Sequence, residues 1–178
     1  MRRIIESTLL SLDGVIGDPH IWASERFDEE ARDSALAQLL ASGGMLMGRR
    51  TYEIFSGLWP RQSGDYADAV NGIRKYVFSS TLEDPEWSHT TVVRGDVATE
   101  AERLKREDGG DLVMYGHGPV GEALLEHGLL DELSFAVHPV FVGGGTPLRR
   151  DGAIATLELT GTRTLGTGVV VLTYVPAR

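Results

Sequence analysis

The amino-acid sequence predicts an α/β fold: a mostly parallel sheet flanked by helices, with an antiparallel hairpin at its C-terminal end. Two observations carry this. Short apolar runs alternate with helix-period segments as far as about Leu133, and strand-like segments alone follow. Strands separated by helices need right-handed crossovers, hence parallel pairing. The closing stretch "LELTGTRTLGTGVVVLTYV" alternates around glycine turns, the mark of a hairpin. No internal repeat or linker divides the 178 residues, so 1–178 reads as one domain with a sizeable core.

The elements are read in order. Ile4 to Leu12 is an apolar strand ending in the turn dipeptide Asp13-Gly14, briefly continued by Val15, Ile16 and Gly17. Asp28 to Ala41 is a helix: Ala31, Ala35 and Leu39, with Leu36 and Leu40, recur at helical spacing. Asp28, Glu29 and Glu30 suit the positive end of its dipole, and Gly43-Gly44 is expected to stop it. Met45 to Met47 is a short buried strand, and a helix begins at Thr51 to Phe55. Tyr76 to Phe78 and Thr91 to Arg94 are short strands. Thr99 to Arg106 is a polar helix of alternating charge. Leu112 to Tyr115 is a strand, followed by "GHGP" and the helix Val120 to His127, with Gly128 placed for its C-cap. Leu133 to Val142 reads as one long strand before "GGGTP".

Composition narrows the function classes. The formal net charge of -9 argues against a nucleic-acid surface, and an anionic ligand would need a local cationic feature. With no cysteine there are no disulfides or thiolate metal sites. The five histidines lack metal-ligand spacing, so no metal is expected. No apolar run approaches a membrane span. "MRRIIESTLLSLDG" reads as a first strand rather than a signal peptide, which makes the cytoplasm the expected location. Neither GxSxG nor a Walker motif is present, so hydrolase and P-loop chemistry lack support.

Three strand ends could hold one dinucleotide. Gly48-Arg49-Arg50-Thr51 joins a strand to a helix: the glycine permits a tight turn, free N–H groups of a helix start hold anions, and arginine binds phosphate bidentately. Two solvated arginines on a capped helix would give the same sequence. Ser79-Ser80 follows another strand. An NAD site usually places an acid at such an end for the ribose diol, whereas a 2′-phosphate needs cations and hydroxyls, which the serines and the arginine pair supply. Gly116-His117-Gly118-Pro119 leads into a helix at Val120: the glycines permit close approach to a pyrophosphate and Pro119 suits a first helical position. The spacing is not GxGxxG. His117 reads as a loop residue, because no partner for it is evident.

"MGRRTYEIF", "KYVFSSTL" and "DLVMYGHGPVGEALLEHGLLDELSFAVHPVFVGGGTPL" resemble the dihydrofolate reductase superfamily, and "SLDGVIG" fits it as well. They are similar, more closely, to the reductase domain of bifunctional riboflavin-biosynthesis deaminase-reductases (the RibD C-terminal domain) and its single-domain relatives. The resemblance covers nearly the whole chain. It implies a three-layer dihydrofolate reductase-like fold, NADPH as cofactor and frequently a homodimer. It puts the pyrophosphate near Gly116, His117, Gly118, Pro119 and Val120. The 2′-phosphate falls near Arg49, Arg50 and Ser79 or Ser80, with Gly48 and Thr51 at the helix start. Departures are visible too. The zinc-binding deaminase domain is absent. Ser7 stands where riboflavin-pathway reductases carry a lysine, six residues before Asp13. Their basic substrate-phosphate segment is not recognisable in "SGLWPRQSGDYADAVN", where Arg61 is the only cation. In dihydrofolate reductases an early acid contacts the pterin; Asp28 is the nearest match, with Asp33 a rival and a plain helix-start role competing.

The expected function is therefore an NADPH-dependent reductase of a small heterocyclic substrate, with 5-amino-6-(5-phosphoribosylamino)uracil as the first named substrate and a pterin or dihydrofolate second. A non-catalytic NADPH-binding protein is the rival from another class. Besides the resemblance, the apolar strand "GVVVLTYV" motivates the homodimer, since it would otherwise risk an exposed sheet edge.

Overall fold

Parallel strands covered on both faces need unbroken apolar runs, and Met45–Met47 and Tyr76–Phe78 supply them: all six residues are buried. They lie in β2 (Ser42–Gly48) and β3 (Lys75–Phe78) of one eight-stranded sheet, whose other members are β1 (Ile4–Ser11), β4 (Thr90–Val93), β5 (Asp111–Tyr115), β6 (Glu132–His138), β7 (Leu157–Thr164) and β8 (Val170–Pro176). The structure, a computed structural model, describes residues 1–149 and 152–177. The strand order is β4-β3-β2-β5-β1-β6-β8-β7. The first six run parallel, and β8 pairs antiparallel with both β6 and β7.

Among the described residues the α-helices are α1 (Pro19–Trp22), α2 (Glu29–Ala41), α3 (Arg49–Leu58), α4 (Asp65–Gly72), α5 (Val97–Arg106) and α6 (Gly118–Glu126). One core layer joins Ile4, Leu46, Leu112 and Leu133 of the sheet to Leu104 of α5 and Leu124 of α6. The other joins Met45, Met47, Val77 and Val113 to Leu39 of α2, Tyr52 of α3 and Val70 of α4. This is the three-layer arrangement that the resemblance implies.

Several expectations change. Gly43 and Gly44 do not stop α2; they open β2, and α2 ends on Ser42. A Cβ on Gly43 would lie 2.8 Å from the Gly110 nitrogen, and one on Gly44 2.8 Å from the Tyr76 ring, so both are glycine because neighbouring atoms pass too close for a side chain. Leu40 faces outward, 71% exposed, and Leu39 alone of α2 is buried. β6 stops at His138 rather than Val142: Pro139 offers no N–H to a ladder, and the Val140 amide turns back to the His138 carbonyl. Helix α4 escaped the periodicity, because only Ala67 and Val70 of its eight residues are buried. Gly128 does end α6. Its amide donates to Leu125 and the Leu129 amide to Leu124, the double closure of a left-handed C-terminal cap. Finally, β8 is paired along both sides and β7 is the edge, so "GVVVLTYV" is not the strand at risk.

Candidate active site

The sheet brings two helix starts together at the carboxyl ends of β2 and β5. Helix α3 opens at Arg49, with Gly48 as an extended N-cap, two residues before the position read from the sequence. Arg49 and Arg50 therefore form its first turn. Helix α6 opens at Gly118, with His117 as N-cap and Pro119 in the first turn. Neither start receives a side-chain cap. A Cβ on Gly48 would sit 3.4 Å from the Val120 side chain, so the two starts are in contact. Each start has N–H groups that no side chain caps, and the positive end of a helix dipole favours an anion there. Gly116 and Gly118 both have positive φ, and a Cβ on either would project into open space. Gly116 is anchored from behind, its amide donating to the Ser7 carbonyl of β1.

The Ser79–Thr81 turn joins this place from the end of β3. The Arg49 guanidinium, 48% exposed, donates through Nε to Glu53 at 2.7 Å and through a terminal nitrogen to the Thr81 hydroxyl. Ser79 shapes the turn: its hydroxyl accepts from the Thr81 and Leu82 amides. Arg94, at the end of β4, donates to the carbonyls of Ser80 and Leu82 at 2.7 and 2.8 Å. The sequence reading gave it no role beyond closing the strand Thr91 to Arg94, because one arginine at the end of a weak strand carries no signal. Arg50 is exposed and makes no hydrogen bond or ion pair among the described residues, and Thr51 is half-buried. A cleft of about 830 Å³ adjoins this turn, with Glu53 and Leu82 in its wall. It is rimmed by Glu53, Asp84 and Glu86, the wrong sign for an anion. A smaller one of about 300 Å³ opens beside the α6 start, between His117, Pro119, Glu122 and Thr146 to Arg149.

His117 corrects its sequence reading most. Its ring is buried, not a loose loop group, and it has partners on both sides. Nδ1 lies 2.8 and 3.0 Å from the carboxylate oxygens of Glu6, and Nε2 lies 2.9 Å from Glu122. Glu6 is fully buried on β1 and also accepts from the Thr8 hydroxyl. Glu122 is in turn clasped by Arg149. Burial works against the imidazolium, but the two carboxylates prevail and raise His117 above its ordinary value. Two signals stood in the sequence: a glutamate inside a buried strand, and Gly121 inside an apolar helix. A Cβ on Gly121 would lie 2.8 Å from both Glu6 and His117.

The acids read from the sequence also have structural roles. Asp28 is the N-cap of α2, Oδ1 accepting from the Ala31 amide at 3.0 Å. Asp33 is exposed beside Arg32. Asp13 is a turn residue that also ties two segments together. Its carboxylate accepts from the Ser11 hydroxyl and from the Val142 and Gly143 amides, which hold its carboxyl down at about 2. The "GGGTP" loop is thereby fastened to the end of β1, and the Val15–Pro147 bridge continues the contact. On the opposite face of β5, Tyr115 joins Phe55, Trp59, Tyr66 and Phe27 in an aromatic cluster with ring centroids 5.2–6.4 Å apart. The Tyr115 hydroxyl and the Trp59 indole nitrogen are buried without a hydrogen-bond partner among the described residues. Burial, and then the neighbouring Tyr66, push the Tyr115 hydroxyl well above its ordinary value. Trp59 and Tyr66 come from the segment that lacks the expected basic residues, and Arg61 there is exposed.

Comparison with known proteins gives concordant results. The family model of the RibD C-terminal domain matches residues 2–171. The uncharacterized protein YyaP of Bacillus subtilis is 28% identical over 136 residues, 73% of this chain and 72% of its own. Among solved structures, the chain is similar to the diaminohydroxyphosphoribosylaminopyrimidine deaminase/5-amino-6-(5-phosphoribosylamino)uracil reductase of Thermotoga maritima. The TM-score is 0.68 at 16% identity, covering 99% of this chain and 57% of that one. It is also similar to dihydrofolate reductase from Enterococcus faecalis, solved with NADP(H): TM-score 0.66, 17% identity, 99% and 97% coverage. The last two share the fold.

Proposed function

The chain belongs to the RibD C-terminal domain family, and on that premise we propose that it is an NADPH-dependent reductase of a small heterocyclic substrate. The observation that carries this reading is the meeting of two uncapped helix starts, Gly48 against Val120, with Arg49 reaching from one of them to the Ser79–Thr81 turn. A dinucleotide diphosphate suits the Gly116–Val120 segment, where His117, Gly118 and Val120 carry the N–H groups at the helix start and the open space beside Gly116 and Gly118 admits it. A 2′-phosphate suits Arg49, Arg50, Thr51, Ser79 and Ser80, and Arg94 holds that turn in place. Held there, the nicotinamide would supply the hydride, and the role of the chain is to bind and orient it.

The acceptor is a C=N or C=O group on a flat ring held near Tyr115, beside the aromatic cluster. The first substrate to test is 5-amino-6-(5-phosphoribosylamino)uracil, named for the Thermotoga protein. A pterin or dihydrofolate is second, and the missing basic segment favours it. Asp28 is the acid proposed to meet the substrate. Its Oδ1 caps α2, and its other oxygen makes no hydrogen bond among the described residues. The protein is proposed to work in the cytoplasm as a homodimer; no helix among the described residues is long and apolar enough to cross a membrane. NADPH oxidation is followed with each substrate, together with NADPH binding. Oxidation with either substrate supports the reductase. Binding without oxidation across pyrimidine and pterin panels would favour a non-catalytic NADPH-binding protein.

A further inference from the structure

Resting on the NADPH reading above, we propose that His117 is a positioning residue for the cofactor diphosphate: clamped between Glu6 and Glu122, it fixes the loop that forms the α6 start and keeps that loop free of excess negative charge. Both ring nitrogens face carboxylate oxygens, at 2.8 Å on the Glu6 side and 2.9 Å on the Glu122 side. An imidazole serves two carboxylates only with a proton on each nitrogen, as the imidazolium, unless one carboxyl carries that proton instead. Either way the cluster holds one proton that an isolated pair of glutamates would lack. The groups facing the ring are Glu6 from β1, braced by Thr8, and Glu122 from α6, braced by Arg149.

The charge balance follows. Arg149 and the imidazolium offset Glu6 and Glu122. When the shared proton leaves, one negative charge remains behind the N-cap of α6. A buried charge there acts through a low-dielectric layer on an anion at the helix start. The placement is built into the fold. Gly116 and Gly118, both at positive φ, flank His117, whose ring is buried, and the Gly116 amide ties the loop to the Ser7 carbonyl of β1. Gly121 leaves room for the Glu6–His117 contact in a helix where alanine would otherwise be preferred.

The test is the NADPH dissociation constant from pH 7 to 9.5, above the range in which the 2′-phosphate monoester takes its second proton. It is measured by calorimetry on the wild type, His117→Gln and Glu122→Gln. The wild type should weaken about tenfold as pH rises. His117→Gln should show a flat profile near the wild type's value at high pH. Glu122→Gln, altering a partly exposed group, removes one negative charge and should bind at pH 9.5 as tightly as the wild type does at pH 7. A merely structural histidine would give variants weakened equally at every pH, and that result overturns the proposal. So does a wild-type profile that is flat while NADPH still binds. If the wild type binds no NADPH at any pH, the reductase reading itself falls and takes this inference with it.

Discussion

Replacing Arg49 and Arg50 separately and together by alanine distinguishes a cofactor clamp from two solvated cations. Arg49 is already positioned: its Nε is held by Glu53 at 2.7 Å and a terminal nitrogen by Thr81, so a phosphate arriving at the Ser79 turn meets a guanidinium with little left to immobilise. A charge-assisted hydrogen bond contributes about 1.5–3 kcal/mol when well formed. At 48% exposure solvent screens the charge, and the low end of that range applies. Arg49→Ala should therefore weaken NADPH about tenfold. Arg50, unanchored, must lose rotamer freedom on binding and should cost about threefold. Glu53→Gln removes a carboxylate that competes for Arg49, so NADPH affinity should rise by about two- to threefold. Calorimetry with NADPH and NADH, beside a circular dichroism melt, reads all four proteins. Equal losses for both cofactors would assign the arginines to the shared diphosphate, and no loss would mean that they only decorate the helix.

Lys75→Met should lower the stability by about 3 kcal/mol and Tm by roughly 6–12 °C. The buried ammonium donates to the carbonyls of Asn71, Ile73 and Ser88 and lies 4.2 Å from the Trp87 ring centroid, and burial lowers it only to about 8, leaving it charged at neutral pH. An unchanged melt would refute this. Asp13→Asn should speed hydrogen exchange at the Val142 and Gly143 amides. In the native protein the same staple, fully formed above the ordinary carboxylate value of 3.8, should loosen as pH falls toward 2. Equal exchange in the two proteins would detach the loop from that carboxylate. Sedimentation at micromolar concentration should give the mass of two chains, and a mass of one chain would remove the homodimer.

What was legible followed from local chemistry. The arginine pair, the serine turn and the glycine-rich loop each announce themselves within four residues, and all three stand at strand ends as read. What was not legible depends on packing across the sheet. Gly43 and Gly44 look like helix breakers, but their reason is Gly110, just before β5, and Tyr76 of β3. Leu40 keeps helical spacing yet faces outward, because α2 buries only a narrow stripe. Of the two partners of His117, Glu6 lies 111 residues away, which no spacing rule reaches. Arg94 matters through two carbonyls of a turn, a contact that leaves no compositional trace.

The position of β1 sets the order in which the chain can fold. It is made before the other strands of this sheet, yet both of its neighbours, β5 and β6, come much later in the chain: Ile4 pairs with Leu112 and Ile5 with Glu132. At roughly 5–20 residues per second on a ribosome, β1 waits roughly 6–25 s for β6. Long-range pairing of this kind also makes refolding slow. β2, β3 and β4 can assemble sooner, since each follows its partner closely. A nascent chain arrested before Asp111 would hold those three strands as a small parallel set, with the inner edge of β2 open and β1 unpaired, so a chaperone that guards strand edges would find its target there.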